Sequence, residues 1–169
     1  MSETYPWYGL AHGDQLEQGD LFVDCPIYRT TSEGGVRRDT STVIVVSHSC
    51  DLAHDKLEIV QVCPVHSLET LAQLVEYLRS KRGREELRRG NLTGYHLLNR
   101  CTLAGFESDF LVCDFRSLFG VHLATLQQMA APTKTPRIRL LPPYREHLAQ
   151  AFAKFFMRVG LPVDVEPFQ

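Results

Sequence analysis

Short apolar runs separated by polar turns dominate the first third of the chain. Residues 42–48 have the sequence TVIVVSH, an unbroken β-branched run typical of a strand buried on both faces. Runs of similar length lie on either side of it, over residues 21–25 and 57–63, and a proline follows each. The pattern therefore predicts the first strands of a sheet within residues 19–66, preceded by an N-terminal arm over residues 1–18.

The stretch between the first two runs is polar. Residues 30–41 have the sequence TTSEGGVRRDTS, which contains a Gly-Gly pair and little that is apolar. That composition is typical of a loop. We therefore predict a loop between the first two strands.

The spacing of apolar residues changes to three and four after Ser67. The positions that share one helical face are Leu68, Leu71, Leu74, Val75 and Leu78. Ser67 is placed to cap this helix, and Glu69 lies in its first turn, where a negative charge is favourable. The pattern predicts a helical insertion over residues 67–90.

A second helical pattern lies near the end of the sequence. Over residues 144–160 an apolar stripe with three phenylalanines faces a charged side, which predicts an amphipathic closing helix. The apolar segments between the two helical regions predict the remaining strands over residues 95–141. This order of strands and helices predicts a single α+β domain over residues 1–169 with a mainly antiparallel sheet.

Composition excludes several classes of protein. The formal net charge is −2, so the chain as a whole does not attract nucleic acid or acidic membrane. No apolar run approaches the roughly 18 residues that cross a bilayer, and the N-terminus has no secretory pattern. Five cysteines without C-x-x-C spacing favour reduced thiols over a disulfide framework. These features predict a cytoplasmic protein without membrane contact.

The first half of the chain has the strand cadence of a known family. Gly-Asp-Leu opens the first strand at residues 19–21, VIVVS follows at 43–47, and IVQVCPV follows at 59–65. Over residues 18–67 the chain resembles the PemK/MazF growth-inhibitor family. The resemblance implies a small antiparallel SH3-like β-barrel.

The resemblance also bears on activity and context. That family cleaves RNA with an Arg before the second strand and a Thr after the third, whereas Ser41 and His66 occupy those registers here. The departure argues against ribonuclease activity by that mechanism and makes His66 a residue to test. Residues 47–52 and 156–162 also resemble bacterial and phage-associated proteins found among mobile or defence genes, which implies a conflict system as the context.

Polar and thiol side chains follow the most hydrophobic strand, in the sequence HSCDLAH over residues 48–54. In one interpretation this is a structural corner, in which Asp51 bonds to backbone N–H groups while Cys50 and His48 pack. In a second, Cys50 is a nucleophile whose thiolate is favoured by an adjacent imidazolium, with Asp51 orienting the ring. The catalytic candidates are then His48, Cys50, Asp51 and His66.

A third interpretation of this segment is a metal site. Its cysteine and histidine side chains, with a cysteine from the neighbouring strand, would give a tetrahedral set of nitrogen and sulfur ligands. The metal candidates are Cys25, His48, Cys50 and His54. Zinc is the only cofactor that the sequence suggests, because it contains no motif for a common cofactor.

A run of cations lies within eleven residues of the predicted insertion: Arg79, Lys81, Arg82, Arg84, Arg88 and Arg89, with Arg100 beyond it. These side chains could follow a phosphate backbone, with Tyr77 and Tyr95 as flanking surfaces for stacking. Glu85 and Glu86 interrupt the run, and cations at the end of a helix are favourable without any ligand. A solvated face or a protein contact therefore stays the alternative.

These patterns favour a non-catalytic binding module of a bacterial or phage conflict system. It would contact nucleic acid or a partner protein through the basic insertion and the groove of the barrel. Two alternatives stay open. One is a divergent ribonuclease or a cysteine-dependent hydrolase centred on His48, Cys50 and Asp51, and the other is a zinc-stabilised binding module.

Overall fold

Eight strands and five helices form the part of the chain that this computed structural model describes, residues 5–54, 56–131 and 135–157. The strands are β1 (Tyr8–Ala11), β2 (Leu21–Thr30), β3 (Val36–Val45), β4 (Ile59–Ser67), β5 (Tyr95–Leu98), β6 (Leu111–Asp114), β7 (Phe119–His122) and β8 (Arg137–Leu140). The helices are α1 (Ser49–Ala53), α2 (Leu68–Leu74), α3 (Lys81–Arg88), α4 (Leu123–Met129) and α5 (Tyr144–Phe156), with a 3₁₀ turn at Glu76–Arg79 between α2 and α3.

The predicted α+β class and antiparallel sheet are confirmed. β1 and β8 form a two-stranded ribbon, and the larger sheet has the strand order β2-β3-β4-β6-β5 with β7 also paired to β4. Every strand pair is antiparallel. Within the described residues, the hydrogen-bonded order of strands does not close into a barrel.

Strand β4 connects the larger sheet because it pairs with three strands along its length. Its first four residues pair with β7, its centre pairs with β3, and its last three residues pair with β6. Val60, Val62 and Cys63 are fully buried. A strand covered on both faces carries a nearly continuous apolar sequence, which is why this segment could be predicted.

The loop predicted over residues 30–41 is wrong. β2 continues to Thr30 and β3 begins at Val36, so only residues 31–35 form the turn. The outer part of this hairpin carries exposed cross-strand pairs such as Tyr28 with Arg38. Since neither face of this part is buried, the sequence has no alternating apolar signal there.

Three other boundaries differ from the sequence prediction. β3 ends at Val45, before the end of the apolar run over residues 42–48, because α1 begins at Ser49. The N-terminal arm includes β1, which pairs with β8 in the two-stranded ribbon. α5 ends at Phe156, and residues 158–160 of the predicted closing helix lie outside the described residues.

The predicted helical insertion packs on the sheet through an apolar cluster of its own. Leu71, Leu78 and Leu87 of the insertion lie with Tyr95 of β5 and Val112 of β6. Burial of each aliphatic side chain stabilises the fold by about 1.5–3 kcal/mol. This cluster fixes α2 and α3 against the β5–β6 edge.

Gly83 of α3 lies directly against the backbone of the turn that precedes the helix. A Cβ atom at this position would lie 1.9 Å from the backbone oxygen of Tyr77. Helix propensity alone would make Gly83→Ala stabilising by about 1 kcal/mol. Because the contact is with backbone, we expect the opposite sign, a loss of about 1–3 kcal/mol in the free energy of unfolding measured in urea.

The matched control for this substitution is Gly35→Ala. A Cβ atom at Gly35 meets only the Thr31 hydroxyl, at 3.2 Å. We expect a change below about 1 kcal/mol at this site. Equal or smaller destabilisation by Gly83→Ala would contradict the packing described for the insertion.

Candidate functional site

A groove of about 770 Å³ lies between the helical insertion and the edge of the sheet at β5 and β6. We refer to it as the basic groove. Its cationic lining residues are Lys81, Arg82, Arg84, Arg88, Arg89 and Arg100. Its other lining residues are Ser67, Leu68, Glu69, Glu85, Leu97, Asp109 and Phe110.

Helix α3 supplies most of the positive charge. Ser80 caps this helix by accepting a hydrogen bond from the Gly83 N–H at 2.9 Å. Gly83 and Leu87 are the buried residues of the helix. The remaining positions hold four basic residues and two glutamates, Glu85 and Glu86, so the side that packs on the sheet is apolar and the exposed side carries a net positive charge.

Each carboxylate in the groove already has a cationic partner. Glu85 accepts from Arg88 at 2.7 and 2.8 Å and from Arg89 at 2.7 Å. Hydrogen bonds from Arg88 and then Arg89 lower the pKa of Glu85 to about 2. Glu85 is therefore ionised throughout the physiological pH range.

The other two carboxylates in the groove form ion pairs with arginines that lie 15 and 9 residues away in the sequence. Glu69 of α2 accepts from Arg84 of α3 at 2.9 and 3.2 Å. Asp109 accepts from Arg100 at 2.7 Å, and that hydrogen bond is the main cause of the lowered pKa of Asp109. The first ion pair joins α2 to α3 on one wall of the basic groove. The second joins the segment after β5 to the segment before β6 on the other wall.

Two cations of the groove remain available. Lys81 and Arg82 are exposed and make no ion pair with the residues that the structure describes. Six cations and three carboxylates give the lining a formal charge of +3, although the whole chain carries −2. The groove is therefore a local concentration of positive charge on an acidic protein.

Five of the six cations predicted from the basic run line this groove. The exception is Arg79, which donates to the backbone oxygens of Ala72 and Gln73 at 2.9 and 2.7 Å. Those oxygens lie in the last turn of α2, where carbonyl groups lack intrahelical partners, so Arg79 completes the end of that helix. Arg84 has a partly similar role, since it also donates to the Leu78 oxygen at 3.0 Å.

The tyrosines predicted as stacking surfaces do not line the basic groove. Tyr95 is only 8% exposed and belongs to the apolar cluster under the insertion. The aromatic ring in the groove is Phe110, and the guanidinium carbon of Arg100 lies 4.6 Å from its centroid. Sequence reasoning did not identify Phe110 or Leu97 as part of the site.

The segment after β3 forms a structural corner, although not through the residue that was predicted. His48 is the N-cap of α1, and its Nδ1 accepts from the Cys50 N–H at 3.3 Å. The Ser49 hydroxyl accepts from the Gln18 N–H at 3.0 Å and ties the corner to the N-terminal arm. The side chain that accepts a hydrogen bond from a backbone N–H is thus that of His48, whereas the sequence predicted Asp51 in this role.

The four catalytic candidates do not come together. The β3–β4 register pairs Val45 with Val62 and Val43 with Pro64, so β4 runs away from His48 towards its end at Ser67. His66 lies about 20 Å from His48 along the strand direction at 3.3 Å per residue. It pairs with Val112 of β6, and burial lowers its pKa.

The four metal candidates are also distributed over two environments. Cys25 is fully buried in β2, and burial raises the pKa of its thiol to about 11. His48, Cys50 and His54 are exposed around α1. Within residues 5–54, 56–131 and 135–157, no group of three or more His, Cys, Asp or Glu side chains is placed to hold a metal ion.

Comparison with protein-family models, with curated proteins and with solved structures found no match to this chain. In the part of the chain that is described, no helix is long and apolar enough to cross a membrane. The geometry and charge of the basic groove are therefore the features of the molecule that indicate its function.

Proposed function

We propose that this chain is a non-catalytic binding module that holds nucleic acid by its phosphates in the basic groove. One observation carries the proposal: six cations converge on one groove of about 770 Å³ whose three carboxylates are already paired. Cations gathered along one concave surface release condensed counterions when they contact phosphates, and that release supplies most of the affinity for a nucleic-acid backbone.

The type of cation favours phosphate as the ligand. Five of the six cationic side chains in the groove are arginines. Guanidinium groups present planar forks that match phosphate oxygens and stack on flat groups, whereas lysine acts as a point charge. The carboxylates of an acidic protein segment also fit these forks, but they offer no flat base to stack on the guanidinium planes.

The fold part of the proposal is an SH3-like barrel of the PemK/MazF type built from β2, β3, β4 and β7. Its support is the antiparallel order of these strands and the contact between the first and the last. Arg29 of β2 lies over the Phe119 ring of β7, with 4.6 Å between the guanidinium carbon and the ring centroid. The conflict-system context stays a prediction from the resemblance.

The absence of catalysis is proposed because the family's catalytic registers hold other residues in other roles. Ser41 pairs with Cys25 across the β2–β3 ladder, and its hydroxyl donates to the Thr42 oxygen at 3.2 Å. His66 is separated from His48 and Cys50 by the length of a strand. A general base must lie within hydrogen-bond reach of the group that it activates.

The proposal is tested by fluorescence anisotropy with labelled oligonucleotides and with polyglutamate at 50 mM salt. We expect binding of the oligonucleotide and weaker binding of polyglutamate of equal charge. Equal binding of both polymers would point to an acidic protein partner instead. Failure of every polyanion to bind at 50 mM salt would overturn the proposal.

Glu85 competes with phosphate for two arginines, so we predict that its removal strengthens binding of the oligonucleotide. Glu85→Gln removes the carboxylate that occupies Arg88 and Arg89. We expect the affinity for an oligonucleotide at 50 mM salt to increase by about three- to tenfold, because one further cation becomes available to release counterions. Anisotropy titration measures the change.

The matched control for the Glu85 variant is Glu33→Gln. It makes the same change in net charge on the β2–β3 turn, away from the groove lining. We expect less than a twofold effect from it. An equal gain in both variants would show that net charge, rather than the groove, controls binding.

A further inference from the structure

We propose that the basic groove takes single-stranded nucleic acid, with one unstacked base lying on the surface formed by Arg100 and Phe110. The inference rests on the proposed function and names the class of ligand for the same groove. It is carried by the geometry of the Arg100 side chain and by the apolar residues beside it.

Two contacts hold the Arg100 guanidinium in place over the Phe110 ring. Its central carbon lies 4.6 Å from the centroid of the Phe110 ring. Its Nε donates to Asp109 at 2.7 Å, and the same carboxylate oxygen accepts from the Phe110 N–H at 2.8 Å. Arg100 is nevertheless 61% exposed, so it has surface left for a ligand.

Planar guanidinium groups and aromatic rings are the surfaces on which proteins stack the unpaired bases of single strands. An arginine fixed over a phenylalanine combines both, and it adds positive charge near the phosphate that follows the base. Because Asp109 already orients Arg100, little side-chain freedom is lost when a base lies on it.

The apolar part of the lining also favours a single strand. Leu68, Leu97 and Phe110 line the groove together with the charged residues. A phosphate backbone alone gains nothing from contact with these side chains, whereas an extruded base does. In a duplex the bases are stacked inside and only phosphates and groove edges are offered, so a duplex would leave this surface unused.

Helix α3 forms the opposite wall and supplies the contacts to phosphate. Lys81 and Arg82 need no rearrangement, because neither is in an ion pair with a described residue. The two walls of the groove thus contact different parts of the ligand. Phosphates lie along α3, and the base lies at the β5–β6 edge.

The experiment compares three probes of equal phosphate number by fluorescence anisotropy at 50 mM salt: a twenty-four-nucleotide single strand, the same strand with abasic sites, and a twelve-base-pair duplex. We expect the single strand to bind about 5- to 100-fold more tightly than the abasic strand, as one stacked base contributes. Equal affinity for the single strand and the abasic strand would overturn the inference while leaving phosphate binding intact.

The double variant R100A/F110L removes the stacking surface and retains the cations of α3. We expect the ratio of affinities for the normal and abasic strands to fall below about twofold. The matched control is R29A/F119L, because Arg29 also lies 4.6 Å from an aromatic centroid and contacts an aspartate, Asp39, at 3.4 Å. The control should keep the wild-type ratio, and loss of the ratio in both variants would contradict the assignment.

A second measurement needs no substitution. A 2-aminopurine base placed in the middle of the single strand loses fluorescence when it stacks, so we expect quenching on binding to the wild-type protein. Binding without quenching would overturn the stacking surface. If the single strand, the abasic strand, the duplex and inorganic polyphosphate all fail to bind, the proposed function fails together with the inference.

Discussion

Replacing Asp20 with alanine is expected to lower the free energy of unfolding by about 3–5 kcal/mol. The Asp20 carboxylate is fully buried and accepts from Arg137 at 2.8 Å, from Arg139, and from the Glu17 N–H at 3.0 Å. Urea unfolding followed by circular dichroism measures the loss. At roughly 2–4 °C per kcal/mol for a chain of this size, the melting temperature should fall by about 6–20 °C.

The loss of stability in Asp20→Ala is large because the positive charge of Arg137 is left buried without its carboxylate partner. Arg137 is only 7% exposed, and its other hydrogen bonds go to the backbone oxygens of Gly13 and Gln15. Without Asp20 its charge stays in the interior with no carboxylate to balance it. Breaking a buried pair costs more than the pair contributes when intact, because the remaining charge is desolvated and unpaired.

Asp39→Ala is the matched control for the Asp20 variant. Asp39 also contacts two arginines, Arg29 at 3.4 Å and Arg37 at 2.8 Å, but this cluster is open to solvent. We expect a loss below about 1 kcal/mol, as for other exposed ion pairs. Similar losses in the two variants would contradict the claim that burial makes Asp20 structurally important.

The second large effect concerns binding. Changing four exposed cations of the basic groove to glutamine, in the variant K81Q/R82Q/R88Q/R89Q, is expected to weaken oligonucleotide binding at least about 100-fold at 50 mM salt. Each of the four lines the groove, and Arg84 is left unchanged because it bonds to the backbone of the insertion. The melting temperature should change little, since all four side chains are exposed.

The matched control removes the same charge from other surfaces. The variant R37Q/R38Q/K56Q/K154Q changes four exposed cations that do not line the basic groove. We expect its affinity for the oligonucleotide to fall less than about threefold. If both variants lose binding to the same extent, the groove has no special role.

The parts of the fold that could be predicted have one buried and one exposed face, or two buried faces. The insertion follows from the three-and-four spacing of leucines: Leu71 and Leu78 are buried as expected, whereas Leu74, at the end of α2, is 76% exposed. β4 follows from its continuous apolar sequence. The β2–β3 hairpin could not be predicted beyond Ile27, because its outer end is held by backbone pairing and most of its side chains are in solvent.

The candidate site was predictable only where its residues are close in sequence. The cations of α3 form a visible run, and five of the six predicted positions line the groove. Arg100 lies beyond this run, and no pattern in the sequence marks Phe110 as part of the site. They reach the groove through the pairing of β5 with β6 and the isolated bridge between Cys101 and Ser108.

The corner after β3 is a different case. Histidine, cysteine and aspartate are adjacent there in sequence, and this adjacency alone is what suggests catalysis or metal binding. His48 completes the first turn of a five-residue helix, and Cys50 is exposed. A cluster in sequence becomes a site only if the fold turns the side chains towards one point.

The salt dependence of oligonucleotide binding tests the central claim most directly. The claim is that three to six cations of the basic groove contact phosphates, so a plot of log K against log salt concentration for a single strand should have a slope of about −2 to −4. In K81Q/R82Q/R88Q/R89Q only Arg84 and Arg100 remain of the six groove cations, so the slope should fall to between about 0 and −1.4. A wild-type slope near zero, or the same slope in the wild type and in this variant, would contradict the account.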